Sequence, residues 1–472
     1  MRGRGPALLS NALEAASPHP PCRGGRQMSR KMGKNASGAG RLLAASVLLV
    51  ALCGVPAARA AEQETAGGGR TGGGDAEPAE QGKREAAASP ELFSTATTAL
   101  GIDVFRALAG KGRGNLAISP FSIEAALGMT RLGARGRTAE EMDAVLHIEE
   151  EAAFHTSAAA AWERLEAVAK GPLELAAANR IFVEERLHLR PEFVERTATL
   201  YHAPVERTPF GRDPEGSRMR INTWVEKQTQ SHIRDLLPPR SIDPMTRLVL
   251  VDALYFSGRW ASRFERSRTR PAPFQAYGER RVKVPMMRQE GTFKYAEVEG
   301  AQVLEMPYQG GALSMVIVLP REPTGLPALE RALSAETLDR WLSALSPRRV
   351  RVSLPRFTLR PKRSIPLGST LKTLGMPTAF TPEADFTGMI EAAGDRGGLF
   401  IDAAFHQVFV EVREEGTRAA AATAVVIRTR GGGGHRQLKP VVFRADRPFL
   451  FLIRDTKSQL LLFLGRVTHP RA

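Results

Sequence analysis

Two arginines, Arg428 and Arg430, close the segment EEGTRAAAATAVVIRTR and are followed by four consecutive glycines, 431–434. Cationic side chains beside a glycine run mark an exposed peptide bond that another molecule can cut. The rest of the segment is too apolar for a solvated loop. Laid out as an extended chain, Thr417, Ala419, Ala421, Thr423, Val425, Ile427 and Thr429 share one face, every one small or β-branched and uncharged. Arg418, Arg428 and Arg430 share the other. Such a segment can enter a sheet with one face buried. The alanine run 419–422 favours a helix by propensity, while Thr423, Val425, Val426, Ile427 and Thr429 oppose it, so the sequence leaves both conformations open. Catalytic chemistry has no comparable support. The patterns G-x-S-x-G, H-E-x-x-H, G-x-x-x-x-G-K-[ST] and a strand-to-helix G-x-G-x-x-G are absent, and the nine histidines nowhere recur at metal-ligand spacing. Neither an enzyme nor a metal or cofactor is implied.

The elements that would hold this segment are helices and strands mixed without a βαβ rhythm. Helical spacing runs over 91–110, through FSIEAALGMTRL and TAEEMDAVL, and over the longer EGSRMRINTWVEKQTQSHI. Runs dense in Val, Leu, Ile and Phe read as strands: TRLVLVDALYFSGRW, GLFIDAAFHQVFVEVREEG, ALSMVIVLP, RVRVSLPRF, RPFLFLIRD and QLLLFLGRV. Several are apolar on both faces, which predicts central strands covered on two sides. An α+β class follows, with helices mostly first and sheets throughout.

The net charge of +16, from 66 basic against 50 acidic residues, invites a nucleic-acid reading. Its distribution argues otherwise. The first 60 residues carry nine basic residues and one acid, then the apolar run LLAASVLLVALCGV and Ala58-Arg59-Ala60, the make-up of a signal peptide over 1–60. The apolar run is too short for a stable membrane span. A lipid anchor on Cys53 is disfavoured by the bulky Leu52 before it. Beyond residue 60 no cysteine remains, which removes disulfides, thiol catalysis and Cys-ligated metals together. Residues 61–89 are Gly, Ala and charge, a flexible low-complexity linker, and 90–472 form one folded unit. Aromatics make up only 6% of the chain and are not interleaved with the arginines, so nucleic acid is not an expected partner. No dense basic stripe of the kind that binds heparin-like polyanions is visible. Glycosylation is not implied, since the one N-x-[ST] site, at Asn35, is in the leader. High Ala, Arg and Gly without disulfides leans towards an exported bacterial protein, extracellular or periplasmic.

From about Glu91 to the C-terminus the chain resembles the serpins, inhibitors of serine proteases. The resemblance rests on NLAISPFSIEAALGMTRLGARGRTAEEM, LVLVDALYFSGRW, VPMM, MPYQGGALSMVIVLP, VSLPRF, LGM, FHQVFVEVREEGT and DRPFLFLIRD with FLGRVTHP, in order over about 380 residues. It implies a serpin fold of about eight to nine helices around three β-sheets with an exposed reactive-centre loop. It also implies a monomer that acts as a suicide substrate: a protease cuts the loop, is held as an acyl-enzyme, and is carried away as the loop inserts into the main sheet. Glu414, Glu415, Gly416, Thr417, Ala419, Ala420, Ala421 and Ala422 would form the hinge. Counting on from Gly416 puts the reactive bond at Arg430–Gly431, with Arg428 the alternative. Arginine there would bait trypsin-like proteases, whose primary pocket holds a carboxylate. Ser119, Ser122 and His406 match the polar cluster beneath the parting strands, and Trp260 the point where the hinge first enters. Asp252 departs from the commoner asparagine. Were it beside His406, a carboxylate and an imidazole would couple and make sheet opening pH-dependent. The resemblance leaves one alternative function, a non-inhibitory serpin acting as a binding or chaperone module.

Overall fold

A computed structural model describes residues 89–278, 281–361, 363–391, 398–417 and 439–471. The leader with Cys53, the linker up to residue 88, and Ala419, Ala420, Ala421, Ala422, Arg428, Arg430 and Gly431 lie outside the described residues.

Helices dominate the first part. In α1 (Glu91–Ala109), Phe93, Ala96, Leu100, Val104 and Phe105 recur at helical spacing and are buried. After β1 (Leu116–Ile118), α2 (Pro120–Arg131) opens on Ser119, whose side chain accepts the Ser122 N–H at 3.2 Å, with Pro120 at the first helical position. Next come α3 (Gly136–Leu146), α4 (Glu151–Ala169), β2 (Leu173–Glu184), α5 (Pro191–Tyr201) and β3 (Glu206–Thr208). By length and composition α1 is apolar enough to cross a membrane, but half of that window is buried and it packs on α2 and α4, as a core helix does. The Asp213 carboxylate accepts the Gly216 N–H at 2.9 Å to start α6 (Pro214–Gln228). This helix ends at Gln228 instead of continuing through Ile233. Gln230 and Ser231 are left-handed, and the Ser231 N–H returns to the Glu226 carbonyl at 2.7 Å, closing the helix.

The remainder is mostly strand: β4 (Leu248–Arg259), β5 (Arg270–Gln275), β6 (Arg281–Val298), β7 (Ala301–Pro307), β8 (Leu313–Pro320), then α7 (Leu326–Ala332) and α8 (Ala335–Ser343). These lead to β9 (Ser346–Pro355), β10 (Phe357–Leu359), β11 (Ile365–Pro366), α9 (Gly368–Leu374), β12 (Ala403–Val412), β13 (Gly416–Thr417), β14 (Val441–Arg444), β15 (Phe449–Asp455) and β16 (Leu461–Val467). They hydrogen-bond into two sheets. One has nine strands in the order β1-β16-β15-β8-β7-β6-β9-β14, with β5 on β6, and the other has seven, β10-β12-β13-β4-β2-β3, with β11 on β12. The anticipated third sheet is the β5-β6-β9-β14 half of the larger one, joined to the rest because the 18-residue β6 runs through both halves.

The central strand β4 has the two-sided burial its sequence predicts. Leu248, Leu250, Leu254 and Phe256 enter the main core, while Val249, Val251, Ala253 and Tyr255 enter a second core beneath α6 with Ile221 and Val225. Asp252 has the parity of the first set, so its carboxylate is delivered to the side on which α2 packs.

Candidate functional site

The seven-stranded sheet has a seam. Strands β4 and β12 pair directly and in parallel from Ala403↔Val249 to Phe409↔Tyr255, with His406 opposite Asp252. Further along they separate, and β13 fills the gap antiparallel to both. Thr417 pairs with Val412 on one side and Gly258 on the other, and Gly416 with Arg259. Gly416 is required there: its φ is +155°, and a Cβ would lie 2.0 Å from the Gly258 carbonyl oxygen. Thr417 is fully buried, and its hydroxyl lies 2.7 Å from that of Tyr308.

The chain leading into the seam is clamped. Trp260 donates its backbone N–H to the Glu415 carbonyl at 2.9 Å and its indole N–H to the Arg413 carbonyl at 3.0 Å, while its ring stacks on Tyr308 at 4.7 Å. Glu414 is buried and receives Arg356 Nε at 2.7 and 2.8 Å and the Thr269 hydroxyl at 2.5 Å. Burial would raise its pKa, but these donors outweigh burial and hold the carboxyl below its ordinary range. Glu415 pairs with Arg266 at 2.5 Å. Glu414, Glu415, Gly416, Thr417 and Trp260 thus meet at one end of the seam.

Ser119, Ser122, Asp252 and His406 meet lower down. The Ser119 N–H donates to His406 Nε2 at 2.9 Å, and His406 Nδ1 lies 2.7 Å from Asp252 Oδ2. A backbone donor on Nε2 leaves the ring proton to Nδ1, so the imidazole is neutral and donates to Asp252. Asp252 Oδ1 is buried without a hydrogen-bond partner among the described residues. Ser122 Oγ donates to Asn179 Oδ1 at 3.0 Å, so the contact extends from α2 to β2. Trp260 is not part of this group; it sits eight residues further along β4's path, with the hinge. Sequence reasoning missed Tyr308, Asn179, Arg356 and Thr269. Their types carry no motif, and only the folded contacts reveal them.

Together these features describe an α+β protein whose central sheet is parted at one end by Gly416 and Thr417. The family profile described as Serpin (serine protease inhibitor) matches residues 95–470, and the chain belongs to that family. It is 38% identical over 363 residues to antithrombin-III of Mus musculus, covering 75% of this chain and 76% of that one. To the leukocyte elastase inhibitor of Sus scrofa it is 40% identical over 390 residues, 80% of this chain and 100% of the other. The crystal structure of uncleaved ovalbumin superposes with a TM-score of 0.70 at 30% identity, covering 80% of this chain and 100% of ovalbumin.

Proposed function

We propose that this protein is an exported inhibitor of trypsin-like serine proteases that is cut at Arg430–Gly431 and traps the protease by inserting residues 417–430 into the β4–β12 seam. The supporting observation is Thr417, buried between the two strands as the first member of a run of small or β-branched side chains that continues at every second residue through Thr429. In this reading the protease serine attacks the Arg430 carbonyl, the amine of Gly431 leaves, and an ester joins Arg430 to the serine. Strand addition then outruns hydrolysis. Thirteen steps from Thr417 to Arg430 at about 3.3 Å carry the ester roughly 43 Å along the sheet, across most of a domain. Trp260, Tyr308 and the Glu414–Arg356 pair hold the entry point, while Ser119, Ser122, Asp252 and His406 bind the strands that must part. Export rests on the signal peptide at 1–60 and the tether at 61–89, and trypsin-like specificity on the arginine.

The test is to mix the protein with trypsin and resolve the products on a denaturing gel. The expected result is a covalent complex, with mass spectrometry placing the new C-terminus at Arg430. Complete cleavage at Arg430 with no complex would refute inhibition and leave a non-inhibitory binding role.

A further inference from the structure

The sequence has no dense basic run, but the sheet register assembles a basic surface from three strands. Val442 of β14 stands opposite Arg351 of β9, which stands opposite Glu290 of β6; the next row is Arg444, Ser353 and Arg288. Residues in register point to the same side, and Val350, Val352 and Phe443 fill the other side as core. Arg349 lies two residues from Arg351, on the same outward face. Four guanidiniums therefore share this face. Arg349 and Arg351 both reach the single carboxylate of Glu290, at 2.8 and 3.1 Å, and Arg444 shares Asp446 with Arg447 at 3.0 and 2.8 Å. Positive charge is in excess, and the arginines are about half exposed. Val442, 55% exposed, stands among them as one of four large apolar side chains exposed among the described residues.

The surface is close in sequence to the proposed reactive bond. β14 is the terminal strand of its sheet and begins at Val441, just after the segment that contains Arg430 and Gly431. Gly431 and Val442 are eleven residues apart, a reach of at most about 40 Å. A protease of roughly 230 residues is about 45 Å across, so one seated on that bond is large enough to reach this face.

We propose that Arg288, Arg349, Arg351 and Arg444, centred on Val442, form a docking surface for an acidic patch beside the active-site cleft of the target protease. This rests on the reading of Arg430–Gly431 as the reactive bond. Arginine at the cut selects the primary pocket, and the basic face selects among proteases that share that pocket. Attraction of this kind acts on the encounter rate and fades with salt.

Anionic and cationic trypsin share primary specificity and differ in surface charge, so the test compares their second-order rates of covalent complex formation at about 50 and 500 mM salt. The expected advantage of anionic trypsin is about tenfold at low salt, largely lost at high salt. The triple variant Arg349→Ala, Arg351→Ala, Arg444→Ala should abolish that advantage. Glu290→Gln, which removes the one carboxylate between two arginines, should increase it about twofold. Equal rates for the two trypsins, or an advantage untouched by both variants, overturns the proposal. So does a triple variant that loses retention on immobilised heparin at unchanged trypsin rates, which would assign the face to a polyanion. Failure to form a complex with either trypsin refutes the Arg430–Gly431 reading as well, whereas complexes formed at equal rates refute only the docking surface.

Discussion

His406, buried between α2 and β4, has both ring nitrogens engaged, one by the Ser119 N–H and the other by Asp252. Another buried ionisable group is not supplied in this way. Glu124 on α2 is fully buried with neither oxygen hydrogen-bonded among the described residues, and burial pushes its pKa well up. Stability linked to it is present below the ordinary glutamate range and lost as pH rises towards the raised value. His155, hydrogen-bonded to Tyr201 at 2.6 Å, runs the other way. Burial first, then Arg196 and Arg131, lower its pKa to about 3, so its contribution is lost as pH falls from about 6.5. Glu124→Met should stabilise the protein by roughly 1–3 kcal/mol at pH 8 and by less at pH 5, as read by denaturant unfolding. A variant no more stable than wild type at pH 8 would show that the carboxyl is solvated after all.

Among the elements, the legible ones were those whose burial pattern is written in one-dimensional order. Strands β4 and β12 announce themselves by apolar residues on both faces, and α1 and α2 by spacing. Strand β2 was not singled out, because LELAAANRIFVE is too rich in alanine to look like a strand until β4 pairs with it along its length. The end of α6 was overrun because the left-handed pair Gln230–Ser231 is neither glycine nor asparagine. The burial of Thr417 was legible through parity, since it lies in register between two strands as the alternation requires. Its supports were not, because Tyr308 and Arg356 are distant in sequence and meet it only in the fold. The same parity yields a test: Thr417→Arg puts a charge where the hydroxyl of Tyr308 now lies. The variant should still be cut by trypsin but should lose most of its covalent complex, by tenfold or more, because a buried unpaired guanidinium opposes strand entry. An unchanged yield of complex would show that Thr417 need not remain buried during trapping.

At the scale of the whole molecule, the charge that first suggested a polyanion partner divides into the basic first 60 residues, a scattered remainder and one ordered face on β6, β9 and β14. The cysteine-free folded region places no cross-link between its strands. If about fifteen added hydrogen bonds net roughly 1 kcal/mol each, the gain spread over the unfolding entropy of a domain of about 380 residues raises the melting midpoint by about 20 °C. Calorimetry before and after cutting at Arg430 measures this, and identical midpoints would refute insertion. The wedge formed by Gly416 and Thr417 has a kinetic consequence as well. Starting a new strand is the costly event in zipping one into a sheet, because order must be imposed before neighbouring bonds can reward it. Here the start is already made, so the proposed insertion is pure propagation, limited by how fast the seam unzips ahead of it. Under the proposed mechanism the same head start would operate in an uncut molecule, so uncut insertion would compete with trapping from the moment the chain folds.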